Sequence, residues 1–374
     1  MKNSTRALFA AYVSQIALVN SVPDATTKFA VDPNVEQKLE GKLRESSEFL
    51  GEINVIGVTE QEAAVLGVGV SQSIAGRTDT SGNTRRHPTD PGGTNEKHRY
   101  LCKKTNFDWA RPYAILDAWR HREEFETLLR DDIIARQALD RQLIGFHGTS
   151  AAAQTDRIAN PLLQDVNIGW LHKIRTDAPA QVMDDGALTV HSNGTDDDAL
   201  KGIYVKAGAT LYDAEADNAQ TAEADYASLD ALVMDAKRGI HEAHRGDNDL
   251  VVIVGHDLLD DKYFSIAQNS GATATEVEAT DRILRSSKMI GGLPAMRVSG
   301  FPANSVLITK LSNLSIYWQE ETRRRQLKDE PEYDRVANYE SVNEAYVVEE
   351  YELAVLVENI RIGAIPNAGA KPVA

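Results

Sequence analysis

Tyr113-Ala-Ile-Leu-Asp-Ala-Trp-Arg-His-Arg-Glu-Glu-Phe-Glu-Thr-Leu-Leu-Arg-Asp-Asp-Ile-Ile-Ala-Arg-Gln-Ala-Leu-Asp-Arg-Gln-Leu-Ile144 runs for thirty-two residues without a Gly or a Pro. Phe125, Leu128, Leu129 and Ile133 recur at helical spacing, while Arg122, Glu123, Glu126, Arg130 and Arg136 face elsewhere. At the α-helical rise this predicts a rod of about 48 Å, well beyond the usual three turns. The stretch before it has almost nothing with which to build a core. From Gly67 to Lys104 the chain is largely Gly, Ser, Thr, Asn, Pro and charge, relieved chiefly by Val68, Val70, Ile74, Tyr100 and Leu101. A long strut joined to a long polar arm suits a lattice building block better than a compact catalyst.

Length and composition set the outer bounds. The chain has 374 residues, enough for two or more domains, and its 42% apolar and 26% charged content is that of a folded, soluble protein. A formal net charge of −16 argues against gripping nucleic acid through its phosphates, which needs clustered Lys and Arg; sitting near it without gripping it is still allowed. Cys102 is the single cysteine, so there is no intrachain disulfide framework, and a half-buried place in a strand in a reducing cytoplasm is its expected role. No apolar run approaches the ~20 residues of a membrane span. Lys2 and Arg6 before Ala7 to Val13 have the outline of a signal peptide, but Ser14-Gln15 interrupts it. Leu8, Tyr12, Ile16 and Val19 lie at helical spacing instead, which predicts an amphipathic helix ending near Asn20 and Pro23. Asp24 to Lys28 then reads as a polar, open tail.

Further along, strands are expected at Ile53 to Val58, Gly67 to Val70 and Tyr100 to Phe107, the last two forming a long hairpin whose tip is Thr78 to Glu96. Such a hairpin has no core of its own and needs something to lie on. Gly145 to Gln154 reads as a linker, and Asp184 to Asp225 as a polar, acidic segment with a strand at Ile203 to Val205. Tyr226 to His244 is expected to be one amphipathic helix, and Leu250 to Gly255 a buried strand followed by a helix capped by Asp257. Strands also fit Ala295 to Val298, Val306 to Thr309 and Leu314 to Trp318, and Asn343 to Ile362 is the last major element.

Several fragments have the outline of a chemical site. Leu250 to Leu259 has the outline of the first turn of a nucleotide-binding α/β unit, but lacks G-x-G-x-x-G and any Walker-type lysine. Asn193 to Asp198 offers oxygen ligands without the glutamate of a calcium loop. His241 and His244 stand three apart on the expected helix with no completing ligand pattern, and read as surface residues at a helix C-terminus. Arg323-Arg324-Arg325, bracketed by Glu320-Glu321 and Asp329-Glu330, reads as salt-bridging surface. No catalytic residue, cofactor-binding residue or metal ligand is assigned, and the expectation is a protein that is not an enzyme.

Specific strings then carry a resemblance. Phe29-Ala-Val-Asp-Pro33, Glu45-Ser-Ser-Glu-Phe-Leu50, Gly69-Val-Ser-Gln-Ser-Ile-Ala75, Asn160-Pro-Leu-Leu-Gln-Asp-Val166 and Gly169-Trp-Leu171 resemble the P2-like phage major capsid proteins. So do Tyr226 to Ala236, Asp249 to Gly255, Leu307 to Leu311, Asn313 to Tyr317 and Asn338 to Ser341. The match runs in order from about Phe9 to Ile362; it weakens at Arg85 to Asn95 and at Asp184 to Ala224, which is longer and more acidic here. The resemblance implies an α+β, HK97-like capsid fold. Residues 1–29 would be an N-terminal assembly segment, 30–58 the N-arm and 59–112 the extended β-hairpin. Residues 113–225 would be the peripheral domain, with a spine helix at 113–144 and a variable insertion at 184–224. Residues 226–345 would be the axial domain, and 346–374 the return to the peripheral domain with a C-terminal tail. It implies hexamers and pentamers closing an icosahedral shell around packaged double-stranded DNA, held without sequence-specific binding. A scaffolding protein and protease, a portal protein and a decoration protein are the implied partners, with no membrane. Assembly would take place in the host cytoplasm, and proteolytic maturation would cut beside Phe29 and Ala30 to leave the virion capsid. The alternatives are an encapsulin-like cellular compartment and a nucleotide-using α/β enzyme centred on Leu250 to Leu259.

Overall fold

The computed structural model describes residues 1–65, 75–79, 85–87, 98–119, 125–185, 202–206, 224–259 and 288–363. The chain divides into two compact units. One gathers Met1–Glu45, Val55–Ile134 and Leu314–Glu350; the other gathers Ser46–Asn54, Ala135–Asn313 and Tyr351–Ala374. The strut is helical over Tyr113–Trp119 and again over Phe125–His147, with residues 120–124 outside the described part.

The first unit is organised by the fourteen-residue strand Arg335–Val348. It lies in the middle of a seven-stranded sheet; its burial is continuous from Glu344 to Val348 and is interrupted earlier, at the exposed Tyr339. On one edge it pairs antiparallel with Arg324–Glu330 and then with Leu314–Gln319. On the other it pairs with Lys103–Asn106 and Trp109–Pro112, and the short strand Phe29–Ala30 extends the sheet beyond Arg324–Glu330. The expected strand from Tyr100 to Phe107 is therefore two strands with different partners. Arg99–Leu101 pairs with Glu62–Ala64 at the foot of the hairpin, whereas Lys103–Asn106 joins the central strand. The change falls at two consecutive exposed lysines, Lys103 and Lys104, which break the inward alternation of Tyr100, Cys102, Thr105 and Phe107. The expected strand at Gly67 to Val70 and most of the hairpin tip lie outside the described residues.

The second unit holds a six-stranded mixed sheet. Its order is Met289–Ile290, Leu293–Met296, Leu250–Val254, Val306–Lys310, Val355–Val357 and Val182–Met183. Leu250–Val254 lies between two neighbours, parallel to one and antiparallel to the other, which accounts for its continuous run of β-branched residues. The helix Leu229–Ala236 packs Leu229, Leu232 and Val233 into the same core. Ser228 caps it, accepting a hydrogen bond from the Ala231 N–H at 3.2 Å. This helix is shorter than expected: a 3-10 turn follows at Lys237–Gly239, and His241 and His244 lie in turns beyond it. Ile203–Val205 is a strand as expected, parallel to Ile360–Ile362.

Two glycine positions hold the second unit together by close approach. Gly145 lies inside the helix instead of beginning a linker, and the close approach of Trp170 requires glycine there, since a Cβ would lie 2.2 Å from the ring. After Val254, a Cβ on Gly255 would lie 1.8 Å from the Ala303 carbonyl oxygen. Residues 256–259 are helical, so Asp257 sits within that helix and Gly255 takes the place before it.

Candidate functional site

The N-terminal segment is built into the first unit. The helix Asn3–Val19 buries Phe9, Tyr12, Ile16 and Ala17. Of the expected stripe, Tyr12 and Ile16 point inward and Leu8 is partly covered, while Val19 is half exposed and Phe9 takes its share. These side chains pack with Phe29, Leu327, Val336, Tyr113 and Leu116, so the helix covers one face of the sheet beside the start of the strut. Its first turn is tied down by Asp117, which accepts from the Thr5 hydroxyl at 2.5 Å and the Lys2 N–H at 3.0 Å. Those two hydrogen bonds hold the Asp117 carboxyl below its ordinary range.

Asp24 to Lys28, expected as open chain, is instead a hydrogen-bonded turn. Asp24 accepts from the Thr26 N–H at 2.8 Å, and Ala25 is buried with its carbonyl accepting from the Leu327 N–H at 3.0 Å. Phe29 then lies opposite Arg325, and Ala30 opposite Arg324. Phe29 faces the core and Ala30 faces solvent, so the Phe29–Ala30 bond sits in an edge strand of the sheet.

Behind this edge lies a cluster that the sequence reading missed. Arg323, expected at the surface, is 1% exposed. Its guanidinium pairs with Glu40, with Glu340 at 2.5 Å and with Glu36 at 3.5 Å. Glu36 and Glu40 are one turn apart on the arm helix Pro33–Glu45, and with Leu43 they make its buried face. The acids flanking Arg323 in sequence supply none of these carboxylates. Glu321 contributes only its backbone N–H, donated to Glu36 at 3.2 Å. Burial pushes the Glu36 carboxyl above its ordinary range, against the pull of Arg323. The available sequence signal was two glutamates on the same helical stripe as Leu43.

At the foot of the hairpin, Tyr100 meets Tyr317 edge to face, ring centroids 5.0 Å apart. Cys102 is fully buried in the same cluster, between strands and not half-exposed within one. The other expected chemistry separates. His241 and His244 stand 6.4 Å apart between ring centroids, and His244 contacts Asp247, whose carboxylate is also held by Lys310 at 2.5 Å. Among the described residues no three His, Cys, Asp or Glu side chains group as metal ligands. Asn193 to Asp198 lies outside those residues.

The family comparison decides the reading of this geometry. The model of the phage major capsid protein, P2 family, matches residues 8–360. The chain belongs to that family. It is 43% identical over 366 residues to the capsid proteins of Escherichia phage P2, covering 97% of this chain and 96% of the relative. It is 38% identical over 373 residues to the major capsid protein of Serratia phage KSP20, covering 99% of this chain and all of the relative. Among solved structures, it is similar to a chain of the satellite phage P4 procapsid that includes the size determination (Sid) protein. That chain is 41% identical, with a TM-score of 0.76 covering 98% of this chain and 100% of the other. The chain is thus a phage major capsid protein with the HK97-like fold, and the reading as a viral shell subunit prevails over a cellular compartment.

Proposed function

We propose that copies of this chain form the hexamers and pentamers of an icosahedral shell that encloses double-stranded DNA. The supporting observation is the likeness to a procapsid chain along almost the whole length. The role needs no catalytic residue. The strand-to-helix turn at Gly255 points the same way: its close neighbour is the carbonyl oxygen of Ala303, which would repel a phosphate instead of cradling it. The net charge of −16 suits a container that must release its DNA. Assembly takes place in the host cytoplasm with a scaffolding protein, and a portal protein occupies one vertex; a decoration protein is a further partner for the outside. Residues 1–29 are an assembly segment that a protease removes beside Phe29 and Ala30. Residues 59–112 are the extended hairpin, which lies across a neighbouring subunit; 113–225 with 346–374 are the peripheral domain and 226–345 the axial domain.

The test is electron microscopy of the chain expressed with its own scaffolding protein. Closed, uniform shells are the expected result. A chain that stays monomeric under those conditions, or that binds a nucleotide stoichiometrically, contradicts the reading.

A further inference from the structure

Residues 149–168 form a surface loop without helix or strand, long for a connection inside a compact unit. Its ends meet: the Gly169 N–H donates to the Gly148 carbonyl at 3.0 Å, which gives it the closed neck of an Ω-loop. The neck is sunk in the second unit's core, since Trp170, the next residue, is fully buried against Phe146 and Phe49.

The loop is braced from within by short polar groups. The Gln164 carbonyl accepts from the Thr149 and Ser150 N–H groups at 2.7 and 3.1 Å. The buried Asp165 accepts from the Asp156 N–H at 2.7 Å. Asp156 in turn accepts from the Ile158 and Ala159 N–H groups at 2.8 and 3.2 Å. Asp156 therefore sets the backbone on which Ile158 stands, and Ile158 is 94% exposed. Leu162, in the same loop, is 40% exposed, and the exposed Arg157 lies directly beside Ile158.

A single exposed apolar side chain on a mobile loop would be unremarkable. Here a hydrogen-bonded frame holds an isoleucine in solvent, so the ordering cost of docking has been met before a partner arrives. The partner's chemistry follows from the tip. An apolar knob with an arginine next to it in the chain fits an apolar patch rimmed by carboxylates. A chain with 56 acidic against 40 basic residues presents such rims readily. We propose that Ile158, presented by the 149–168 loop with Arg157 beside it, is an anchor that docks on a second copy of this chain during shell assembly. The proposal rests on the shell-forming reading above and names one contact within it.

Three variants test it, each expressed with the scaffolding protein beside wild type. Ile158→Asp should leave the isolated subunit soluble with an unchanged unfolding temperature, because the side chain is almost wholly exposed. Shell yield should fall at least about tenfold, the loss typical of a buried interface anchor. Ile158→Leu should restore shells, and Arg157→Glu should reduce their yield. A photoreactive residue at position 158 in wild-type-like shells should give adducts of twice the subunit mass. Normal shells from Ile158→Asp, or adducts formed only with the scaffolding protein, overturn the anchor alone. A wild-type chain that forms no shells removes the underlying reading and the anchor with it.

Discussion

Arg323 is ion-paired with Glu40 across 283 residues of chain, and both side chains are buried. Two more carboxylates, Glu36 and Glu340, converge on the same guanidinium. One buried cation thus fastens the arm helix Pro33–Glu45 to the central strand Arg335–Val348. Removing it would leave three acids without their counter-charge. Arg323→Met should destabilise the first unit by about 3–5 kcal/mol, whereas the exposed Arg324→Ala should change stability by no more than about 0.5 kcal/mol. Denaturant unfolding of the two variants side by side decides it; equal effects would show that Arg323 is not the fastener.

The same cluster predicts a pH dependence. Burial raises the Glu36 carboxyl above its ordinary value of 4.5. The folded chain therefore holds that proton more tightly than the unfolded one. Its stabilising contribution is complete below pH 4.5 and is lost as the pH rises through the raised folded value. Glu36→Gln, which cannot lose a proton, should gain on wild type as the pH is raised from about 4 to about 8. Melting curves of both chains across that range are the measurement. A gap independent of pH would exclude Glu36 as the titrating group.

Gly255 and Gly41 should respond oppositely to the same change. A methyl on Gly255 meets a backbone carbonyl at 1.8 Å, so Gly255→Ala should cost about 3 kcal/mol or more by overpacking. Gly41 lies in the arm helix with nothing within 4 Å, so Gly41→Ala should stabilise by up to about 1 kcal/mol. Chemical denaturation of both proteins gives the comparison, and a harmless Gly255→Ala would mean that the strand end can shift away from Ala303.

Trimming at the N-terminus is checked by intact mass of subunits from mature particles. The expected start lies within a few residues of Ala30; a subunit still beginning at Met1 or Lys2 is the contrary result. Because Phe29–Ala30 is paired with Arg324–Arg325, the protease should cut unassembled, fully folded subunits slowly. Phe29→Asp, which removes one of the anchoring side chains, should accelerate the cut.

Deleting Thr78 to Glu96 should leave a folded subunit, since the paired foot at Glu62–Ala64 and Arg99–Leu101 is outside the deletion. Shell formation should be lost if the arm reaches a neighbouring copy. Circular dichroism and negative-stain microscopy read the two halves of that outcome, and normal shells would rule out an essential intersubunit role.

Local order was legible in the chain wherever burial is periodic or continuous. The strand Leu250–Val254, the strands beginning at Val306 and Leu314, and the described parts of the strut at Tyr113–Trp119 and Phe125–His147 fall where the sequence placed them. Arg324–Glu330 was hidden because its buried contribution is Leu327 and the end residue Glu330 among charged neighbours; charge was read as surface. The residues from 78 to 96 and from 193 to 198 that carried expectations lie mostly outside the described part of the chain, and so add nothing to that comparison.

From its sequence alone this chain declared a long helical strut, a polar arm and an amphipathic N-terminal helix, because helix and strand periodicity are properties of neighbouring residues. The partners of Arg323 and the pairing of Phe29 with Arg325 were decided only by the tertiary structure. So was the frame that holds Ile158 in solvent. In the first two the partners stand hundreds of residues apart, except Glu340, which is 17 residues from Arg323 but on a different strand. In the third, Asp156 and Asp165 are close in sequence, but only the folded backbone turns their carboxylates on the loop's own N–H groups. A side chain's charge shows in the sequence; what neutralises it depends on which distant segments the fold brings together.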